Sequence, residues 1–286
     1  MDSLHIPDLL RRHGLTPRKG LGQNFLINSA ILQRVVDAAA IAPGDVVLEI
    51  GPGVGNLTRL LAASARQVTA VELDKDLLPV LHEVLAACPN VRLLSGDILQ
   101  VNPADLFSAS GYLVVANIPY NITSAIIRHL LEAAVKPQRM VLTVQREVAE
   151  RIVAAPGELS LLALSVQVYG SPRLMAHIPA GAFYPAPEVD SAVLRIDLYP
   201  QPLISPAQLP IFFRLTKAGF SQKRKTLRNA LSAGLGIAAS QAAALLLSSG
   251  IDPMRRAETV SIVEWGRLAA AFATLPAKTA APPALP

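Results

Sequence analysis

The run Val46-Val47-Leu48-Glu49-Ile50, then Gly51-Pro52-Gly53-Val54-Gly55, then Asn56-Leu57-Thr58, leaves this chain few ways to fold. The first five residues, largely apolar and β-branched, read as a buried strand. Three glycines at alternate positions let the backbone turn sharply and let a ligand approach closely. Residues 56–65 then take up helical spacing. A strand, a glycine turn and a helix form the first half of a βαβ unit. The spacing here is G-x-G-x-G, tighter than the G-x-G-x-x-G that cradles a pyrophosphate, and it favours a ligand without one.

The alternation continues. Strands are predicted at 68–73, 91–95, 112–117 and 140–145, and helices at 77–87, 124–134 and 146–155. An earlier helix starts near Ser29, a good N-cap, with Ile31, Leu32, Val35, Val36 and Ala39 on one face. Residues 161–169 read equally as a helix or a buried strand, and 191–198 as a last strand. The fold class is therefore α/β, a largely parallel sheet with helices on both faces. Ligands of such sheets bind beyond the carboxyl ends of the strands. Four successive strands end there in Gly51, Glu72, Asp97 and Asn117. Glu72 lies about 20 positions after Gly51, where an acid accepts hydrogen bonds from ribose hydroxyls. Asp97 is placed to accept one from an adenine amino group. Asn117-Ile118-Pro119-Tyr120 brings an amide, a proline-fixed carbonyl and an aromatic ring out of the sheet within four residues, the parts needed to hold a flat, amine-bearing base. Taken alone, that stretch reads equally well as a strand followed by a turn.

Charge is unevenly distributed. Residues 201–286 carry ten basic and three acidic side chains, and residues 1–20 four basic and two acidic. Residues 21–200 carry twelve basic and sixteen acidic ones. A mildly acidic body with a basic end points to a polyanionic partner, nucleic acid first among them. The basic run Lys223, Arg224, Lys225 and Arg228 has helical spacing, with Arg224 and Arg228 on one face, and is the candidate phosphate contact. The uncharged run 230–251 is long enough for a membrane span. Its serines, glycines and Gln241 make it one or two packed helices instead. The single cysteine, Cys88, is compatible with a reducing cytosol. The five scattered histidines have no ligand spacing, so no metal is expected. No apolar signal region opens the chain, and a cytoplasmic protein is expected. The domain reading is a basic flexible arm (1–20), an α/β domain (21–200), a helical domain (205–275) beyond the prolines at 200, 202, 206 and 210, and a disordered tail (276–286).

At these motifs the chain resembles the Rossmann-like S-adenosylmethionine-dependent methyltransferases. Gly22-Gln-Asn-Phe-Leu26, Glu49-Ile-Gly-Pro-Gly-Val-Gly-Asn-Leu-Thr58, Val71-Glu-Leu-Asp74, Gly96-Asp-Ile98, Asn117-Ile-Pro-Tyr120 and Phe183-Tyr-Pro-Ala-Pro-Glu-Val-Asp-Ser-Ala-Val193 resemble the motif series of the rRNA adenine N6-dimethyltransferases. Residues 218–231 and 255–259 are similar to the subfamily acting on small-subunit (16S) rRNA. The resemblance implies S-adenosyl-L-methionine as cofactor. It places Asn24 and Leu26 over the methionine end, Gly51 facing the cofactor by its backbone, Glu72 on the ribose and Asp97 on the adenine. Asn117 is implied to be in reach of the cofactor as well, and with the Ile118 carbonyl, stiffened by Pro119, would hold the target amine, with Tyr120 and Phe183 stacked on the base. The substrate implied is a pair of adjacent adenines in a 3′-terminal hairpin loop of small-subunit rRNA. The partner is the assembling small ribosomal subunit, met by a monomeric enzyme. Residues 156–163 depart from the usual pattern of relatives, away from these motifs. Three other functions suit the same fold: a large-subunit rRNA methyltransferase of the resistance type, a DNA adenine methyltransferase, and a non-catalytic RNA-binding factor.

Overall fold

The computed structural model describes residues 4–274. In chain order the elements are α1 (Ile6–Arg12), β1 (Phe25–Leu26), α2 (Ser29–Ala39), β2 (Val46–Ile50), α3 (Asn56–Ser64), β3 (Gln67–Glu72), α4 (Leu78–Val84) and β4 (Val91–Ser95). They continue as α5 (Pro103–Leu106), β5 (Leu113–Asn117), α6 (Thr123–Glu132), β6 (Arg139–Gln145), α7 (Arg146–Val153), α8 (Leu161–Gln167), β7 (Gly170–Ile178), β8 (Phe183–Tyr184) and β9 (Ser191–Leu198). Four helices follow: α9 (Leu209–Gly219), α10 (Leu227–Leu235), α11 (Ala239–Ser248) and α12 (Ile262–Ala273). The chain divides into two compact units. One runs through Glu150 and adds Ser171–Leu198, and the other takes Arg151–Gly170 and the chain from Tyr199 onward. By this division α8 falls in the second unit. The tail expected at 276–286 lies outside the described residues.

The first unit is built on a seven-stranded sheet in the order β4-β3-β2-β5-β6-β9-β7. Strands β2 to β6 pair in parallel, and β9 runs antiparallel to β6. The chain winds outward from β2 to β4, then returns to the other side of β2 with β5. This reversal is the switch point at which open α/β sheets bind ligands. Register aligns the strand ends: Ile50 lies opposite Val71, and Glu72 opposite Ser95. The turns are tied across that edge by Gly51 N–H to the Val71 carbonyl at 2.9 Å and Gly96 N–H to the Glu72 carbonyl at 2.8 Å. Antiparallel β9 begins where β6 ends, so Ser191, opposite Gln145, also reaches the carboxyl edge.

Helix α2 is capped by Asn28, whose side chain accepts the Ile31 N–H at 3.1 Å. Ser29, expected as the cap, is the first helical residue. Val35, Val36 and Ala39 on α2 pack with Leu57 and Leu61 on α3 against Val47, Val68, Leu113 and Val141 of the sheet. The arm expected to be loosely ordered is corrected over 6–12. Helix α1 buries Ile6, Leu9 and Leu10 in a cluster with Val54, Leu77, Val80 and Leu81. Apolar residues at i, i+3 and i+4 supply that face. Each such burial contributes about 1.5–3 kcal/mol, enough to hold a seven-residue helix that would not persist alone.

The second unit is helical except for its connections. Trp265 of α12 is fully buried. Gly219 at the end of α9 leaves room for that indole, since a Cβ there would lie 2.5 Å from Trp265 Cη2. Ser261 and Glu264 form a reciprocal cap on α12, and Glu264 also pairs with Arg255 at 2.5 Å. That pairing holds the Glu264 carboxyl down at about 2. The uncharged run 230–251 lies in α10 and α11, which meet at 119°, and no single described helix is long and apolar enough to cross a membrane.

If α1 is part of the core, Leu9→Ala should lower the unfolding free energy by about 2–4 kcal/mol in urea titrations. A change under about 0.5 kcal/mol would mean the helix is dispensable to the fold.

Candidate active site

A cleft with about 760 Å3 of unfilled space, mouth included, lies at the carboxyl edge of β2–β5. Its floor is the glycine turn, where Gly51, Gly53 and Gly55 all adopt left-handed φ (65°, 60° and 87°). Nothing stands within 4 Å of where a Gly51 side chain would go. At Gly53 a Cβ would strike the Phe25 ring at 2.9 Å. A side chain at 51 would thus occupy ligand space, and one at 53 would push apart the wall.

Two carboxylates face this floor. Glu72 is 5% exposed and accepts the Gly53 N–H at 3.1 Å with one oxygen and the Asp74 N–H at 2.8 Å with the other. Burial pushes its carboxyl pKa up, and these backbone hydrogen bonds oppose the shift. Asp97 accepts the Leu99 N–H at 2.9 Å with Oδ1, which holds its carboxyl group in place. Leu73, Leu77, Val71 and Ile98 supply apolar lining between them.

The other end of the cleft is formed by Asn117-Ile118-Pro119-Tyr120 and the segment Leu21–Phe25. Asn117 Nδ2 donates to the Asn24 carbonyl at 2.8 Å. A carbonyl can only accept, so the amide nitrogen must face it and Oδ1 must face away. Tyr120 is half-buried, and its hydroxyl lies 2.5 Å from Ser191 Oγ at the start of β9. Burial raises its pKa, countered in part by Ser191, so the phenol stays neutral near pH 7. The end of the cleft therefore offers amide and carbonyl acceptors and a ring, with no basic side chain.

The cleft brings together Asn24, Gly51, Glu72, Asp97, Asn117, Ile118, Pro119 and Tyr120. It does not bring in Leu26, Phe183 or the basic run. Leu26 and Phe183 are 4% and 3% exposed and lie in one hydrophobic cluster, paired with each other in the β1–β8 ribbon. Leu26 does line a smaller cavity behind the glycine turn, where Asn56 Nδ2 holds its carbonyl at 3.2 Å. The Phe183 ring is core, so stacking on a base from the side opposite Tyr120 is not met in this structure. Lys223, Arg224 and Lys225 are exposed but sit on the turn between α9 and α10, and Arg228 is in the first turn of α10. The shared helical face expected for Arg224 and Arg228 is thus corrected. No apolar residue between Ser221 and Thr226 gives a helix there anything to bury.

Sequence reasoning assigned no role to Gln23 and Phe25, which line one wall of the cleft, or to Arg18 and Asp74, which bond behind it. Gln23, Phe25 and Asp74 lie inside the motifs Gly22–Leu26 and Val71–Asp74, the signal that could have drawn attention to them. Glu49, next to last in β2, opens one of the motifs of the resemblance but was likewise given no role of its own. It is 1% exposed, and its Oε2 has no hydrogen-bond partner among the described residues. Desolvation raises its pKa to about 8, the Thr58 hydroxyl opposes the shift, and the Glu72 charge adds to it.

A twisted sheet with this switch point, a glycine turn on its first strand and acceptors on the next three is a Rossmann-like methyltransferase domain. Comparison with known proteins narrows the class. The model of the ribosomal RNA adenine dimethylase family matches residues 14–273. The chain is 48% identical over 271 residues to Ribosomal RNA small subunit methyltransferase A of Dehalococcoides mccartyi (strain CBDB1), covering 94% of this chain and 93% of that one. It is 42% identical over 283 residues to the protein of that name from Moorella thermoacetica, covering 94% and 98%. Among solved structures it is similar to the 23S rRNA methyltransferase ErmE, with a TM-score of 0.72, 29% identity and coverage of 88% and 100%. It shares its fold with a dimethyladenosine transferase from Plasmodium falciparum, with a TM-score of 0.75, 24% identity and coverage of 85% and 95%. The chain belongs to the ribosomal RNA adenine dimethylase family.

The buried carboxyl of Glu49 has a consequence for stability. The unfolded chain releases that proton near pH 4.5 and the folded chain near 8, so its contribution to stability falls as pH rises through this window. Glu49→Gln should flatten the decline between pH 5 and 8, where the wild type loses on the order of 1 kcal/mol per pH unit from this group. Urea titrations at several pH values give the slopes, and equal slopes in the two proteins would contradict the assignment.

Proposed function

We propose that this protein dimethylates N6 of adenines in small-subunit rRNA, using S-adenosyl-L-methionine bound in the cleft at the carboxyl edge of the sheet. The observation that carries this reading is the Asn117–Asn24 hydrogen bond, which turns an amide oxygen outward beside the Ile118 backbone at the end of the cleft. The residues present fit the cofactor. The open space over Gly51 suits close approach of a ligand to the backbone, Glu72 suits a ribose diol, Asp97 suits an adenine amine, and Asn24 lies toward the methionine end. When bound, the cofactor supplies a sulfonium methyl as electrophile.

The chain's own residues solve a geometric problem. The lone pair of an exocyclic adenine amine is delocalised into the ring, which makes it a poor nucleophile. Asn117 Oδ1 and the Ile118 carbonyl accept its two N–H groups, favour a pyramidal nitrogen and stabilise the positive charge that develops on it. Pro119 fixes the carbonyl that follows Asn117. A carboxamide cannot take a proton at neutral pH, and the Tyr120 phenol is neutral, so the proton is lost to water after nitrogen has become cationic. Tyr120 offers its ring as a stacking surface, with its hydroxyl pinned by Ser191. The base must leave its helix or loop stack to arrive there. A second transfer requires the same pocket to admit the monomethylated amine.

The choice of small-subunit rRNA is supported by relatives named for that subunit at 48% and 42% identity across nearly the whole chain. We infer two adjacent adenines in a 3′-terminal hairpin loop as the target. We also infer a monomeric, cytoplasmic enzyme that meets the assembling small subunit. Lys223, Arg224 and Lys225 on an exposed turn, and Arg228 at the start of α10, supply phosphate contacts, which makes binding steeply salt-dependent.

Small and large ribosomal subunits lacking the modification, each incubated with enzyme and S-adenosyl-L-methionine and mapped by mass spectrometry, should acquire N6,N6-dimethyladenosine in small-subunit rRNA only. Binding without transfer, or transfer confined to the large subunit, would overturn the reading. Tyr120→Ala should raise KM for the particle by roughly 5- to 100-fold, as loss of one base stack requires.

A further inference from the structure

One side of the cleft is a strap, residues 18–24, tied down at both ends. At the β3 end, Asp74 is 5% exposed and gathers the strap with both oxygens. Its Oδ1 accepts Arg18 Nη1 at 2.8 Å, and its Oδ2 accepts Gln23 Nε2 at 2.7 Å. Gln23 Oε1 in turn accepts the Arg18 N–H at 2.8 Å, which closes the strap on itself. Arg18 Nη2 reaches Asp76. At the β5 end, Gly22 adopts a left-handed φ of 64° and lies against Pro119, where an added Cβ would come within 3.1 Å. Two residues on, the Asn24 carbonyl holds the Asn117 amide. The Asp74 N–H also donates to Glu72 Oε1.

We propose that Asp74, with Arg18 and Gln23, is a latch that positions the strap over the cofactor and, through Asn24, sets the direction of the Asn117 amide. This rests on the methyltransferase reading of the cleft and adds to it a set of positioning residues, of which Arg18 and Asp74 stand outside the cleft lining and Gln23 within it. The chain of contacts runs from Arg18 to Asp74 and Gln23, then along the strap backbone to Asn24 and Asn117. A buried carboxylate holding two side chains from a separate segment is an ion-pair and hydrogen-bond anchor, and loss of such a bond to a charged group costs enough to change an opening equilibrium roughly tenfold or more. A released strap frees the Asn24 carbonyl, and Asn117 then loses the partner that fixes which of its amide atoms faces the target amine. The latch therefore couples retention of the cofactor to readiness of the amine site.

The test uses the full chain with Arg18→Met, Gln23→Ala and Asp74→Ala. Two readouts do not depend on turnover: hydrogen–deuterium exchange of the amides at 21–25 in ligand-free protein, and the dissociation rate of S-adenosylhomocysteine. Exchange across the strap and the dissociation rate should each rise about tenfold or more in all three variants. Arg18→Lys, which keeps a cation facing Asp74, should recover part of the loss. Arg18 is half exposed, so Arg18→Met tests the latch even if Asp74→Ala fails to fold. If wild type binds S-adenosylhomocysteine and Arg18→Met and Gln23→Ala match its exchange and dissociation rate, the latch is wrong and the cleft assignment stands. If wild type itself does not bind S-adenosylhomocysteine, the cleft assignment fails, while strap exchange in the ligand-free variants still reports on the latch.

Discussion

A single hydrogen bond, from the Asn117 amide nitrogen to the Asn24 carbonyl, gives the end of the cleft its chemical sense. An asparagine presents a donor and an acceptor at nearly the same place, and only its neighbours decide which is offered. Here the acceptor is offered, so the site suits an amine that gives up its hydrogens. Much of the first unit serves to make that bond. The parallel register brings Asn117 out at the level of the other strand ends, opposite Thr143 of β6. The β1–β8 ribbon anchors the chain just after Asn24. The proline following Ile118 keeps the backbone from closing into helix.

The electrostatics divide the cleft in two. Toward β3 and β4 lie Glu72 and Asp97, whose oxygens are held by backbone N–H groups and oriented before any ligand arrives. Toward β5 the groups are neutral: an amide, a carbonyl and a phenol whose pKa burial raises. Under the proposed function, recognition of a polar cofactor and stabilisation of a transient cation on nitrogen fall to different strand ends. Such a division follows from a sheet whose successive strands finish at one edge. Beneath both halves, Glu49 keeps a carboxyl in the sheet at a cost to stability above its unfolded pKa, a local breach of the rule that buried acids are paired.

Elements with strong local signals were legible in the sequence. The alternation of apolar strands and helices located β2 to β6 within a residue or two, and the glycines, acids and asparagine at the strand ends marked the cleft. What escaped depended on partners distant in the chain. Helix α1 looked like a basic arm because its arginines and Gly14 outweighed three apolar residues, and the cluster that buries them comes from residues 54–85. Strand β7 lacked alternation and contains Pro172, which an edge strand tolerates because one side of its backbone is unpaired. Phe183 sits in a motif whose resemblance implies base stacking, yet packing against Leu26 covers its ring. Arg18 and Asp74 are 56 residues apart, beyond the reach of any local pattern. The turn at 221–226 read as helix because charge spacing was counted where no apolar face existed.

The role proposed for Asn117 is to orient the target amine, beyond any part it has in holding the cofactor. Single-turnover methyl transfer by Asn117→Ala, measured beside its Kd for S-adenosyl-L-methionine, separates the two. Removing a preorganised acceptor should slow transfer by about 100-fold or more and leave Kd within about threefold of wild type. Near-normal transfer, or a loss of rate matched by an equal loss of cofactor affinity, would contradict the account.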